Sequence, residues 1–267
     1  MSQFARAESS LSNGRTASIR VLGIRVDVVQ VPDVVRQMQS WIQERRGSRY
    51  VAVTGMHGVT EAQNDPSFKA VLNAAALVVP DGMPLVWLAR LRGYPLKRRV
   101  YGPELLLTFC AQTAQCGYRH FLYGGAPGVP EQLAGTLTSR FPGLQIAGTH
   151  SPPFRPLNLG EDERIAEMIN DARPDVLWVG LSTPKQERWM YEHRDVLNVP
   201  VMLGVGAAFD LVTGRVKQAP AWMREHGIEW FYRFIQEPRR LWRRYFIGGS
   251  KFVGYVMLEA LHLRRFD

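Results

Sequence analysis

Short apolar runs rich in β-branched residues alternate along the chain with longer segments of helical period. The runs predict strands near residues 19–29, 50–54, 76–79, 120–123, 144–148, 175–180 and 200–205. Helices are predicted between them, for example at residues 65–74, 131–140 and 161–172. This alternation is typical of an α/β fold with a doubly wound, mostly parallel, Rossmann-like sheet that carries helices on both faces.

The alternation stops near Arg215, which predicts three parts of the chain. Residues 1–18 are polar and are expected to form a flexible tail, without the apolar stretch of a signal peptide. Residues 19–215 are the predicted catalytic core. Residues 216–267 are predicted to form a helical, membrane-associating appendage.

Two further features of the composition favour a cytoplasmic protein without a membrane span. The longest apolar run, residues 199–209, is too short to cross a bilayer. The only two cysteines, Cys110 and Cys116, have neither a zinc-ligand nor a redox spacing, which fits a reduced compartment.

The positive charge of the chain is concentrated in the appendage. The formal net charge is +9, and residues 230–251 contribute five of these charges. Aromatic side chains are interleaved with the arginines, namely Trp230, Phe231, Tyr232, Phe234, Trp242, Tyr245 and Phe246. This combination favours an anionic membrane surface, where each basic group contributes about 1 kcal/mol. A packed helix with a basic face and a nucleic-acid surface are the alternatives, although no nucleic-acid module is recognisable.

Distinctive turns follow five of the predicted strands, with the sequences TGMHG, PDGMP, GGAPG, LSTPKQE and GVGAAFD. Ligands of open parallel sheets bind outside the carboxyl ends of the strands. The five turns are therefore expected to converge on one cleft.

Asp81 and His57 are the conspicuous polar residues in the first two of these turns. Asp81 follows a buried strand, where a carboxylate can serve either as a general base or as the cap of the next helix. His57 can serve as a base near neutral pH, but a histidine in a glycine-flanked turn is more often structural. No Ser/His/Asp order and no metal-ligand cluster accompanies it.

The other turns contain groups that suit phosphates. Gly124 and Gly125 precede a predicted helix, where backbone N–H groups can hold phosphate oxygens, although a plain tight turn is equally compatible. Lys185 and Gln186 begin another helix and can contact a diphosphate or a sugar, or can be surface residues of a Pro-initiated helix. The chain has neither a G-x-G-x-x-G fingerprint nor an Asp-x-Asp metal motif, so a dinucleotide oxidoreductase is disfavoured and no metal is expected.

Six stretches occur in order along the chain: PDGMPLVW, RRVYGPEL, FLYGGAPGVPE, VGLSTPKQERW, GVGAAFD and APAWMREHGIEWFYRFIQEPRRLWRR. From about Ile19 to Tyr245 the chain thereby resembles the WecG/TagA/CpsF family of bacterial glycosyltransferases, glycosyltransferase family 26. The resemblance implies a metal-independent, inverting transfer of a hexose-type sugar from a UDP donor. The implied acceptor is an undecaprenyl-diphosphate-linked saccharide at the inner face of the cytoplasmic membrane, during surface polysaccharide synthesis.

The resemblance also implies roles for individual residues. Asp81 of the P-D-G turn corresponds to the proposed catalytic base, and Arg99 and Gln186 fall on family motif positions. The arginines that the family uses to close over the site and approach the lipid diphosphate correspond to Arg233, Arg240 and Arg243.

The first turn departs from the family pattern. Many members carry Thr-x-Asn there, whereas this chain has Thr54, Gly55, Met56 and His57. The change argues against N-acetylmannosamine as the donor sugar. The loop THSPPFRP at residues 149–156 is similar to that of exopolysaccharide-cluster members that move glucose-type sugars.

The sequence therefore predicts a UDP-sugar-dependent hexosyltransferase of exopolysaccharide synthesis, with no cofactor, metal or nucleic acid. Asp81 is the predicted catalytic residue. Substrate binding is predicted for Thr54, His57, Arg99, Gln186, Arg233, Arg240 and Arg243, and nucleotide binding for Gly124, Gly125 and Lys185. Homo-oligomerisation is left open. The alternative from another class is a non-catalytic, nucleotide-binding scaffold at the membrane, which the basic appendage also fits.

Overall fold

A computed structural model describes residues 16–225 and 227–266 of the chain, without the side chains of Ala221, Glu225 and Arg240. Most of the predicted tail, residues 1–15, lies outside the described residues. The first strand begins at Ser18, inside the stretch predicted as tail.

Six parallel strands form the central sheet in the order β4, β3, β8, β7, β5 and β6. They are β3 (Arg49–Thr54), β4 (Leu77–Pro80), β5 (Arg119–Gly124), β6 (Gln145–His150), β7 (Val176–Gly180) and β8 (Val201–Gly204). Because helices cover both faces of the sheet, the strands are largely apolar and buried, as the sequence pattern showed, except for the half-buried edge strand β6. The predicted doubly wound α/β fold is confirmed.

The apolar run at residues 19–29 does not form the single strand that its pattern predicts. It folds into an antiparallel hairpin of β1 (Ser18–Val21) and β2 (Ile24–Asp27), outside the six-stranded sheet. The turn residues Leu22 and Gly23 have φ values of 52° and 76°, which suit a tight hairpin turn. Asp27 ties the hairpin to the sheet, because its carboxylate accepts a 2.8 Å hydrogen bond from the N–H of Val78 in β4.

In the described part of the core, nine helices connect or flank these strands: α1 (Val31–Glu44), α2 (Met56–Asn64), α3 (Pro66–Ala74), α4 (Met83–Leu91), α5 (Gly102–Thr113), α6 (Val129–Arg140), α7 (Leu159–Asp171), α8 (Lys185–His193) and α9 (Ala208–Val212). Local caps fix where two of the predicted helices begin. The Asp65 side chain accepts from the N–H of Phe68 at 3.0 Å, which starts α3. Asn158 and Glu161 form a reciprocal capping box at the start of α7.

Alternate strand residues supply two apolar cores, one on each face of the sheet. In β3, Val51 and Val53 contact one core, while Tyr50 and Ala52 contact the other. The carboxyl ends of the strands are thus held rigidly from both sides, which positions the turns that follow them.

The C-terminal segment continues with α10 (Ala221–Glu225), α11 (Glu229–Gln236), α12 (Pro238–Trp242), a π-helical turn (Arg243–Ile247) and α13 (Gly248–Ala260). Helix α13 lies against α2 and buries Phe252 in the core. Its Glu259 accepts a 3.1 Å hydrogen bond from the N–H of Leu22 in the hairpin turn. Among the described residues, no helix combines the length and the apolar character needed to cross a membrane. The division of the chain near Arg215 stays a prediction.

Candidate active site

The five distinctive turns converge on one cleft of about 1570 Å³, as expected from their positions at the carboxyl ends of parallel strands. One residue from each turn illustrates this: Met56, Asp81, Gly125, Thr183 and Gly206 all line the cleft. The C-terminal segment closes the remaining side with Glu229, Trp230, Arg233, Arg243 and Arg244. The cleft is therefore built jointly by the core and by the segment that was predicted as an appendage.

The first two turns are in direct contact. Thr54 at the end of β3 pairs with Pro80 at the end of β4, and the N–H of Asp81 donates to the Thr54 carbonyl at 2.8 Å. A Cβ atom at Gly55 would lie 2.2 Å from the Asp81 carbonyl oxygen. Only glycine at this position permits the approach, which places the Asp81 side chain beside the first turn.

Asp81 presents a partly exposed carboxyl group to the cleft. Its side chain is 34% exposed and lies 3.7 Å, Oδ1 to Nη1, from Arg99. Oδ1 itself is buried and has no hydrogen-bond partner among the described residues. Burial raises the pKa of Asp81, and the negative charge of Glu229 raises it further, while the positive charge of Arg99 opposes both effects. Asp81 is thus a carboxyl group whose environment favours proton uptake.

Glu229 and Tyr101 complete this charged cluster, and sequence reasoning assigned a role to neither. Arg99 forms an ion pair with the buried Glu229 carboxylate, which also accepts a 3.0 Å hydrogen bond from the Tyr101 hydroxyl. The Arg99 guanidinium lies 4.3 Å from the centre of the Tyr101 ring. Tyr101 lies in the R-V-Y-G motif and Glu229 in the E-W-F-Y-R motif. Their positions inside these motifs are the sequence feature that could have indicated a role at the site.

His57 lies in the first turn of α2 and lines the cleft. Burial, with a smaller contribution from the positive charge of Arg244, lowers its pKa to about 4. The imidazole is therefore neutral near pH 7, and its Nδ1 lies 3.9 Å from Glu61. A neutral imidazole can donate or accept a hydrogen bond to a ligand, and it adds no positive charge to the site.

Gln186 and Lys185 take different positions in the first turn of α8. Lys185 is exposed and lines the cleft. Gln186 is buried, and its Oε1 accepts a 2.9 Å hydrogen bond from the N–H of Gly206. Gly204 provides the space for this side chain, since a Cβ atom there would lie 2.8 Å from Gln186 Nε2.

The two glycines predicted to bind nucleotide, together with Thr54, have limited access to the cleft. Gly125 lines it, but its N–H donates to the Gly180 carbonyl at 3.0 Å, so a phosphate would have to displace that bond. Gly124 and Thr54 are buried at strand ends and are not part of the cleft lining. The Oγ1 atom of Thr54 has no hydrogen-bond partner among the described residues.

The predicted arginines of the C-terminal segment lie on the opposite wall. Arg233 and Arg243 line the cleft, and Arg233 Nε is buried without a hydrogen-bond partner in the described part of the chain. Arg240 lies in α12, but its side chain is outside the described residues. This wall supplies positive charge facing Asp81 and the turns of the core.

A Rossmann-like sheet with a basic cleft at its carboxyl edge is the architecture of many nucleotide-dependent transferases. The family model described as "Glycosyl transferase WecG/TagA/CpsF family" matches residues 19–266, and the chain belongs to this family of glycosyltransferases.

Relatives in three bacterial species carry the name N-acetylglucosaminyldiphosphoundecaprenol N-acetyl-beta-D-mannosaminyltransferase. The chain is 31% identical to the protein of Bacillus spizizenii over 218 residues, which is 82% of each chain. It is 32% identical to that of Bacillus subtilis strain 168 over 205 residues, or 77% of each chain. It is 28% identical to that of Staphylococcus aureus strain MW2 over 252 residues, or 94% of each chain.

Proposed function

We propose that this protein transfers a hexose-type sugar from a UDP-sugar to an undecaprenyl-diphosphate-linked saccharide, with inversion at the anomeric carbon. The observation that carries the proposal is the Asp81 carboxyl group, partly exposed in the cleft and held in an environment that raises its pKa. A carboxyl group of raised pKa is suited to accept a proton from a sugar hydroxyl at neutral pH. The names of the relatives support a lipid-linked acceptor.

In the proposed reaction the Asp81 carboxylate takes the proton of the acceptor hydroxyl as its oxygen attacks the anomeric carbon. The new C–O bond forms on the face opposite the donor phosphate, and the bond from the anomeric carbon to the phosphate oxygen breaks. UDP leaves with the electron pair of that bond. Lys185, Arg233 and Arg243 line the same cleft and can stabilise the charge on the departing diphosphate. Metal independence is part of this proposal, so pre-incubation with EDTA is expected to leave turnover unchanged.

The membrane is the proposed location of the reaction because the acceptor carries an undecaprenyl chain. Exposed aromatic and apolar side chains of the C-terminal segment, including Trp230, Trp242 and Phe246, lie close to the arginines that line the cleft. This arrangement is suited to peripheral binding on an anionic inner membrane face, with the acceptor diphosphate entering the cleft.

Replacement of Asp81 tests the catalytic assignment. D81N keeps the shape of the side chain and removes the base, so turnover is expected to fall at least about a hundredfold. The measurement is UDP release with a lipid-linked saccharide acceptor. D33N is the matched control, because Asp33 is a carboxylate in α1 outside the cleft. Unchanged turnover by D81N would rule out Asp81 as the base.

A panel of UDP-sugars, read by product mass, tests the donor and the place in polysaccharide synthesis. We propose a glucose-type hexose of an exopolysaccharide, because Met56 and His57 line the cleft in the first turn, where many family members carry Thr-x-Asn. The expected result is transfer of UDP-glucose-type donors in preference to UDP-N-acetylmannosamine. M56N, which restores asparagine at the third position of Thr-x-Asn, is expected to improve use of the N-acetylated donor. Preferred transfer of N-acetylmannosamine by the parent would contradict the glucose-type donor.

A further inference from the structure

Glu187 is a fully buried carboxyl group beneath the cleft, in the first turn of α8. It does not line the cleft and therefore has no direct contact with a bound substrate. Burial of a carboxyl group is unfavourable by several kcal/mol unless the group is hydrogen-bonded or neutral. The hydrogen bonds of this buried acid therefore indicate what it does in the structure.

Its contacts connect two of the turns that form the cleft. Glu187 Oε1 accepts hydrogen bonds from Thr183 Oγ1 at 2.8 Å and from Gln186 Nε2 at 3.0 Å. Oε1 of Gln186 in turn accepts from the N–H of Gly206 at 2.9 Å. Thr183, Gln186 and Gly206 all line the cleft. Through Gln186, Glu187 therefore links the turn after β7 to the turn after β8.

This network determines which end of the Gln186 amide points in which direction. Gly206 N–H requires an acceptor, so the amide oxygen faces Gly206 and the amide nitrogen faces Glu187. A flipped amide would place an N–H against the Gly206 N–H and a carbonyl oxygen against Oε1 of Glu187. An amide nitrogen carries two hydrogens, of which Glu187 accepts one, and the Gln186 side chain lines the cleft.

The surroundings of Glu187 favour a neutral acid. Burial raises its pKa, and the hydrogen bonds from Thr183 and Gln186 oppose that shift. The other oxygen, Oε2, has no hydrogen-bond partner among the described residues. A neutral carboxyl group still offers Oε1 as the acceptor for both donors.

We propose that Glu187 is a positioning residue of the transferase, which fixes the Gln186 amide so that one of its N–H groups is directed at the substrate. The proposal rests on the proposed function, since Gln186 is taken to contact the donor or the acceptor. Loss of Glu187 would leave Gly206 as the only hydrogen-bond partner of the Gln186 amide among those described above.

Two substitutions of Glu187 separate positioning from charge. E187Q keeps a carbonyl acceptor in a neutral side chain, so kcat/KM is expected to stay close to that of the parent. E187L removes the acceptor, and kcat/KM is expected to fall by about tenfold to a hundredfold, the usual effect of a misplaced substrate contact. In a Q186A background the same E187L change is expected to add little further loss, because both changes remove one interaction. Additive losses in this cycle would overturn the proposal.

A structural readout keeps the test independent of turnover. The side-chain amide resonances of Gln186, identified by their absence in Q186A, are expected to shift in E187L and to stay near the parental position in E187Q. D175N is the control, because Asp175 is a buried carboxylate at the opposite end of β7 that accepts from the N–H of Arg119. Unshifted Gln186 resonances in folded E187L would refute the positioning role. If the parent protein has no transferase activity, the proposed function fails, while these resonances still decide whether Glu187 orients Gln186.

Discussion

The pKa of Asp81 is set by burial and by neighbouring charges, which act in opposite directions. Burial raises its pKa, Glu229 raises it further, and the positive charges of Arg99, Arg244 and Arg233 lower it. A general base is most effective when its pKa approaches the working pH, because a weaker base takes the proton less readily. Glu229 thus raises the pKa of Asp81 through its negative charge and also forms an ion pair with Arg99.

The pH dependence of kcat/KM tests this account of Asp81. Activity is expected to fall on the acid side with an apparent pKa above the value of about 3.9 that an unperturbed aspartate shows. In E229Q the negative charge that raises the pKa of Asp81 is removed, and Arg99 is free to pair with Asp81. The acid limb is therefore expected to move to lower pH. Initial rates of UDP release between pH 4 and 9, with the acceptor well below its KM and the donor saturating, provide the measurement. An acid limb that stays in place in E229Q would contradict the coupling.

The raised pKa of Asp81 also predicts its effect on stability. A carboxyl group whose folded-state pKa is raised stabilises the folded protein below the unfolded pKa of about 3.9, and that contribution is lost as the pH rises through the folded pKa. At pH values above the unfolded pKa, Asp81 therefore destabilises the fold relative to its contribution at low pH. The D81N variant is expected to be at least as stable as the parent at pH 7, with a difference that shrinks toward pH 4. Urea unfolding at both pH values measures this, and a clear loss of stability in D81N at pH 7 would show that the ionised group is favourably paired.

At the scale of elements, the connection from β5 to α6 contains two glycines with different constraints, Gly124 at the end of the strand and Gly128 directly before the helix. Gly124 has φ of 118°, and a Cβ atom there would lie 2.6 Å from the backbone of Gly180 in β7. Gly128 has φ of 81° with open space around its would-be Cβ. G128A is therefore expected to cost about 1 to 2 kcal/mol of unfolding free energy from the backbone conformation alone. G124A is expected to cost more, because β5 and β7 must also move apart, and equal losses in the two variants would contradict the close packing of these strands.

The sequence pattern predicts elements well where burial decides the pattern. The buried sheet strands are covered on both faces, so their apolar runs end within about two residues of the observed strands, whereas the edge strand β6 is only half-buried. The hairpin at residues 18–27 was merged into one strand because its turn, Leu22 and Gly23, has no polar residue to interrupt the apolar run. Placement of Asp81 at a strand end was predictable from the same pattern. The pattern did not predict that Asp81 pairs with Arg99, or that Arg99 contacts Glu229, 130 residues further along the chain. Periodicity contains no information on such long-range contacts.

For the whole molecule, helix α11 connects the cleft to the exposed aromatic surface. Glu229 and Arg233, four residues apart, lie on one face of the helix and line the cleft. Phe231 and Ile235 lie on the opposite face and are 48% and 63% exposed. Since residues two apart in a helix point in nearly opposite directions, one short helix presents charge to the site and apolar side chains to the outside. A membrane bound to the outer face would thereby fix the inner face near the acceptor diphosphate.

Removal of the apolar outer face of α11 tests this membrane contact directly. The double variant F231S/I235S keeps every arginine, so any lost binding reports the apolar contribution alone. Burial of two such side chains is worth about 1.5 to 3 kcal/mol each, and partial insertion predicts at least about a tenfold weaker partition onto vesicles containing phosphatidylglycerol. V196S is the matched control, because Val196 is 56% exposed and follows α8, outside the C-terminal segment. Sedimentation with vesicles at low and high salt separates this contribution from the charge of the arginines, which salt screens. Unchanged binding of F231S/I235S, or an equal loss in V196S, would show that α11 does not face the membrane.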